Sequence, residues 1–167
     1  NKPSEILSVL VPPGLTPGSK TIQVQNPDFG FVELRNALTI ISTPEITGVY
    51  DDKNEAISPL VLSVEGGEKI RLEGIQFMPG IKVIFGGTLK AKSELAEGES
   101  GIEGLNINNA EMVLIGGTVV TDVTLNSAGD ILLTTPKLDI GQTSIIVINS
   151  DGGISNKVEG VYQKPVP

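Results

Sequence analysis

Gly66-Gly67-Glu68-Lys69-Ile70-Arg71-Leu72-Glu73-Gly74-Ile75-Gln76-Phe77 is the stretch on which the reading of this chain turns. Ile70 and Leu72 alternate with Lys69, Arg71 and Glu73, so an extended backbone puts the apolar pair on one face and the charges on the other. The glycine pair before the run and Gly74 after it mark turns. This is the pattern of a half-buried antiparallel strand. The next run, Ile81-Lys82-Val83-Ile84-Phe85, follows Pro79-Gly80 and stops at Gly86-Gly87. Further runs lie at Val119 to Leu125, Ile131 to Thr134, Ser144 to Ile148 and Lys157 to Tyr162. No apolar repeat at helical spacing follows a capping residue, so the chain reads as nearly all β.

Composition agrees. The sequence of 167 residues is 39% hydrophobic with only 4% aromatic residues, and it holds 20 Gly and 11 Pro. Such a length allows one domain, or one domain with part of a second. Cysteine and histidine are both absent, which excludes thiolate and imidazole chemistry, a Ser-His-Asp triad and the usual zinc sites. A formal charge of -8 opposes phosphate backbones, so nucleic acid is not an expected partner. No apolar run approaches the roughly 20 residues that a spanning helix needs. The chain opens on Asn1 with no signal-peptide pattern, and any export signal is expected to have been lost with the natural N-terminus.

The sequence also matches itself. An offset that carries Pro13 onto Pro136 also carries Leu15 onto Leu138, Gly18 onto Gly141, Ile22 onto Ile145 and Val24 onto Val147. Asn26, Asp28 and Gly30 then meet Asn149, Asp151 and Gly153, and Pro44 lands on Pro167. These identities fall where turns and alternating core positions demand them. Residues 1 to 44 therefore read as the closing third of one repeat plus a linker, and residues 45 to 167 as a complete second one.

At this point a family resemblance can be stated. Pro44-Glu45-Ile46-Thr47-Gly48-Val49 resembles the opening strand of an IPT/TIG domain, and the stretch from Gly66 to Phe77 resembles its glycine pair, second strand and Gly-x-x-Phe turn. Val83-Ile84-Phe85-Gly86-Gly87 is similar to the V-x-F-G-G strand end. Thr135-Pro136, Gly141, Val147-Ile148-Asn149, Asp151-Gly152 and Ser155-Asn156 follow the closing pattern in order. The resemblance implies a tandem of immunoglobulin-like antiparallel β-sandwiches. It departs at about residues 88 to 118, an insertion that carries its own apolar segment, Met112 to Ile115.

The same fold serves many functions. The resemblance and the acidic charge together lead to a non-catalytic structural or adhesive module of a repeat-containing bacterial or archaeal surface protein, located outside the cell. The alternative is an accessory spacer or carbohydrate-binding domain of a secreted polysaccharide-active enzyme. Expected partners are neighbouring repeats or copies of the same protein, a surface protein or a polysaccharide.

Candidate sites follow from the residue types. Asp51, Asp52, Asn54 and Glu55 crowd hard oxygen donors as Ca²⁺ would want, although a solvated turn would use the same residues. No other cofactor is expected. Asn149-Ser150-Asp151-Gly152-Gly153 reads as a hairpin turn because Asn26-Pro27-Asp28-Phe29-Gly30 repeats its skeleton. Glu94, Glu97, Glu99 and Glu103 crowd the insertion without the interleaved aromatics of a sugar platform, as a solvated loop does. Finally, Ile146 and Ile148 occupy outward strand positions where the first repeat has Gln23 and Gln25. An apolar outer face needs a cover. Either the insertion supplies it, or Ile146, Ile148 and the segment Met112, Val113, Leu114 and Ile115 meet a neighbouring repeat or subunit. For the incomplete first repeat there are three outcomes: an upstream portion completes it, it packs on the complete repeat, or another molecule donates strands and builds a fibre head to tail.

Overall fold

A computed structural model describes residues 6 to 165, so the match of Pro44 to Pro167 lies outside the described residues. The chain divides into two compact units between Ile40 and Ile41, close to the boundary expected at residue 44. Among the described residues the regular structure is β throughout, apart from a single 3-10 turn at Lys92–Glu94.

The first unit is a hairpin of β1 (Gly18–Gln25) and β2 (Phe31–Ile40), paired antiparallel with Ile22 opposite Leu34 and Val24 opposite Val32. Its apolar face has no cover among the described residues of the unit. Ile22, Val32 and Leu34 are 40%, 64% and 64% exposed.

The second unit is built from β3 (Glu45–Tyr50), β4 (Val61–Ser63), β5 (Lys69–Ile75), β6 (Lys82–Phe85), β7 (Thr88–Ala91), β8 (Ile102–Ile107), β9 (Ala110–Ile115), β10 (Thr118–Val120), β11 (Val123–Leu125), β12 (Ile131–Thr134), β13 (Gly141–Ile148) and β14 (Val158–Gln163). One sheet runs β10-β6-β13-β14-β4 and a second runs β11-β12-β5-β3. The pairs are antiparallel except β4 with β14, which is parallel. The inner faces share one hydrophobic core, with Ile70 and Leu72 from β5, Ile131 and Leu133 from β12, Val83 and Phe85 from β6, and Ile145 and Val147 from β13. This is the two-layer arrangement of a β-sandwich. Ile70 and Leu72, expected inside from alternation alone, are both buried.

Gly74 illustrates why local sequence matters. A β-carbon there would collide with the Glu45 carbonyl and the ring of Phe77, which folds back over the glycine. The Gly-x-x-Phe spacing is thus a packing requirement.

Two readings need correction. Val119 to Leu125 is not one strand: β10 lies in the five-stranded sheet and β11 in the other, and the chain crosses between them at exposed Thr121 and Asp122. Apolar alternation persists across the crossing, so periodicity could not reveal it. Nor are Ile146, Ile148, Met112, Val113, Leu114 and Ile115 a free interface. The insertion folds into a third sheet, β7-β9-β8, whose Leu105, Ile107, Met112 and Leu114 pack with Ile84, Ile146 and Ile148 on the outer face of the five-stranded sheet. Leu114 and Ile148 are buried there and Met112 and Ile146 partly so, while Val113 is buried outside that cluster and Ile115 is half-buried. The chain covers its own apolar face.

Phe85 is wholly buried, and replacing it with Ala is expected to cost about 3–5 kcal/mol through lost burial and the cavity left behind, read from urea unfolding. Tyr162 is equally buried, and its hydroxyl finds no hydrogen-bond partner among the described residues. Burial, reinforced by the nearby Glu68 charge, raises its phenol above the ordinary value. A raised pKa in the folded state leaves stability intact at neutral pH and erodes it once the pH climbs past about 10, where the unfolded phenol ionises. Tyr162→Phe is expected to cost under about 1 kcal/mol at neutral pH and to flatten the alkaline decline in the unfolding midpoint.

Candidate functional site

The most connected polar site of the second unit sits where the linker Ser42-Thr43-Pro44 enters it. Ser42 gives both its N–H and its hydroxyl to the Asp151 carboxylate, each at 2.7 Å. Asn149, 2% exposed, donates to Ser42 Oγ at 2.8 Å and to the Gln76 carbonyl at 2.7 Å, and accepts the Met78 N–H at 3.1 Å. Thr43 N–H reaches Gln76 Oε1 at 3.2 Å. Asn156 closes the arrangement by accepting the Ile46 N–H at 2.7 Å and donating to the Ile46 carbonyl at 3.1 Å. A β-carbon at Gly153 would strike the Ser42 backbone. The closing hairpin therefore grips the linker, and every member of the network has a partner.

The electrostatics favour the grip. Partial burial alone would raise the Asp151 carboxyl, but hydrogen bonds from the Ser42 hydroxyl, the Gly153 N–H and the Ser42 N–H outweigh it and hold the pKa below the ordinary value. Sequence reading saw Asp151 only as a turn residue. Its partner lies over a hundred residues away, and retention of Asp28 at the matching place in the other hairpin was the available hint.

The calcium candidate takes a different form. Asp51 Oδ1 accepts the N–H of Lys53 at 3.0 Å and of Glu55 at 2.8 Å, and Asn54 Oδ1 accepts from Arg71 Nη2 at 2.7 Å. Neutral Asn126 does the same at the next such turn, where its Oδ1 accepts the N–H of Ala128 and Asp130, both at 2.9 Å. Asp51 thus fills a turn role that needs no cation. Among the described residues no group of three or more acidic side chains is placed to hold a metal ion.

Above this turn, Arg71 stacks 4.2 Å from the centroid of Tyr50 and bridges Asp130 at 2.9 Å and Glu73 at 3.1 Å. The adjoining groove encloses about 470 Å³ and is lined by Asp51, Asp52, Asn54, Arg71, Thr124 and Leu132 among others. In the insertion, Lys90 holds Glu99 at 2.9 Å, and Lys92 lies 3.7 Å from Glu103 and 3.0 Å from Glu111. Glu99 and Glu103 thus pair with lysines, while Glu94 lies in the 3-10 turn and Glu97 is exposed nearby.

Comparison with protein-family models gives no match, and comparison with curated proteins gives none either. Among the described residues no helix is long and apolar enough to cross a membrane.

Asp151→Ala strands the Ser42 donors and is expected to destabilise the second unit by about 1–3 kcal/mol. Because the folded carboxyl is held low, its contribution is present at neutral pH and fades as pH falls below about 4. Asp151→Asn should therefore lose part of the acid dependence of the unfolding midpoint, and an unchanged acid limb in both variants would remove the carboxylate from the grip.

Proposed function

We propose that this chain is a non-catalytic structural or adhesive module of a repeat-containing extracellular surface protein, built from immunoglobulin-like sandwiches of the IPT/TIG type. The observation that carries this reading is the closing hairpin, which occurs twice. In one copy Asn26 N–H donates to the Gly30 carbonyl at 2.7 Å and Phe29 N–H to the Asn26 carbonyl at 3.0 Å; in the other, Asn149 pairs with Gly153 at 2.8 Å and Gly152 with Asn149 at 3.0 Å. Asp28 and Asp151 accept the N–H of Gly30 and Gly153 in turn, at 3.1 and 2.9 Å. Backbone conformations match as well, with Phe29 at φ 69° against Gly152 at 89°, and Gly18 at 109° against Gly141 at 138°. Residues up to 44 are then the end of one repeat, and the next begins at Glu45.

A string of such repeats carries tension from the start of each module to its end. Here an early strand and the last strand, β4 and β14, run parallel in register from Val61 opposite Val161 to Ser63 opposite Gln163. Opposite pulls on such a pair load its hydrogen bonds together, in shear, whereas a hairpin pulled at its open end breaks them one by one. The geometry suits a spacer that resists extension.

A second reading, an accessory domain of a polysaccharide-active enzyme, draws on the groove beside Tyr50 and Arg71, whose amides, carboxylates and hydroxyls suit sugar hydroxyl groups. Single-molecule stretching between the chain ends tests the first reading. The complete repeat is expected to give way in one event that releases about 120 residues, roughly 400 Å of chain at about 3.5 Å each. Gradual extension without a force peak would contradict it. Polysaccharide binding that disappears in Tyr50→Ala would favour the second reading.

A further inference from the structure

The closing hairpins agree in turn geometry but differ in what their outer faces accept. On β13, the outward Ile146 and Ile148 lie under the insertion, and the turn is approached by it as well: Asn108 N–H donates to the Gly152 carbonyl at 2.9 Å. A β-carbon at Gly152 would already stand 3.3 Å from Asn106 O and Asn108 N. The matching positions of the first hairpin are Gln23, Gln25 and Phe29. Gln23 donates to Glu33 at 2.9 Å and Arg35 holds the same carboxylate at 2.8 Å, so this outer face is polar where that of β13 is apolar. Phe29, 82% exposed, puts a phenyl ring where the insertion would need to pass. Phe31, the counterpart of Ile154, stands at the hairpin tip on that side. The opposite face is apolar and has no cover among the described residues of the unit, with Ile22 and Val24 presented as Ile145 and Val147 are toward the sandwich core.

Resting on the repeat reading above, we infer that β1 and β2 are the receptor for the opening half of a repeat that lacks the insertion. The occupant is a polypeptide with strands like β3 to β6 joined onward without a third sheet. A β6-like strand lies along Ile22 to Gln25, and a linker serine meets Asp28 and Asn26 as Ser42 meets Asp151 and Asn149. A second copy of this chain is the wrong occupant, because its opening half carries the insertion into Gln23, Gln25 and Phe29. This selects against self-complementation into a fibre and for a specific, different repeat.

Two N-terminal fusions to the full chain test this. Each places an extra copy of residues 45–125 ahead of residue 1, one with the insertion intact and one with residues 88–117 replaced by a short Asn-Gly turn. Hydrogen exchange is read on β1 and β2, with β5, β12 and β13 of the unaltered complete repeat as the internal control of folding. The insertion-free fusion is expected to slow exchange in β1 and β2 by at least about 100-fold, and the insertion-bearing fusion to leave it fast. Refitting the receptor with Gln23→Ile, Gln25→Ile and Phe29→Gly should restore protection in the insertion-bearing fusion. Equal protection by the two fusions overturns the inference while leaving the repeat reading standing. If neither fusion nor the refitted variant gains protection, the repeat reading falls too. The unfused chain is expected to stay monomeric by light scattering, and protection of β1 and β2 through self-association would also overturn the inference.

Discussion

Everything in the second unit hangs on the pairing of β13 with β6, in which Ile145 faces Phe85, Ile146 faces Ile84 and Val147 faces Val83. Alternation sends Phe85, Val83, Ile145 and Val147 into the sandwich core and sends Ile84, Ile146 and Ile148 the other way. A central strand pair that is apolar on both faces must be buried on both. One side is met by the four-stranded sheet. The other is met by the insertion, which explains why a Gly-, Glu- and Asn-rich stretch still folds: its apolar strand positions have a surface to land on, while its lysines and glutamates pair in the outer layer.

The linker grip follows from the same hairpin. With β13 and β14 fixed in the sheet, the turn between them holds Asn149 and Asp151 toward the incoming Ser42, and Gly153 lets the two backbones approach. The incoming segment and the turn between β13 and β14 are therefore tied together at one end of the unit, while β4 and β14 pair in parallel along the edge.

Much of this was legible in the sequence. Lys69 to Glu73 alternates so cleanly that both its strand and its inward residues follow from period two, and Ile131 to Thr134 is bounded as read. The turn at Asn149 to Gly153 was legible because the chain contains it twice. What was not legible depends on contacts between distant residues. Thr121 and Asp122 carry no glycine or proline to announce a change of sheet. Ser42 has no local sign of its tie to Asp151. The apolar outer face of β13 was visible as a demand for cover, but alternation alone cannot say whether the same chain or another meets it. The cation reading of Asp51 failed to separate from the turn reading because both ask for the same oxygens.

Two outward side chains on β13 decide whether the second unit carries a third layer. Native-state hydrogen exchange on the chain with Ile146→Gln and Ile148→Gln, the residues found at those places in β1, addresses this most directly. The expected result is loss of protection in β7, β8 and β9 while β5 and β12 remain protected, since their core lies on the other face. Unchanged protection across the insertion, or collapse of the whole unit together, would contradict the account.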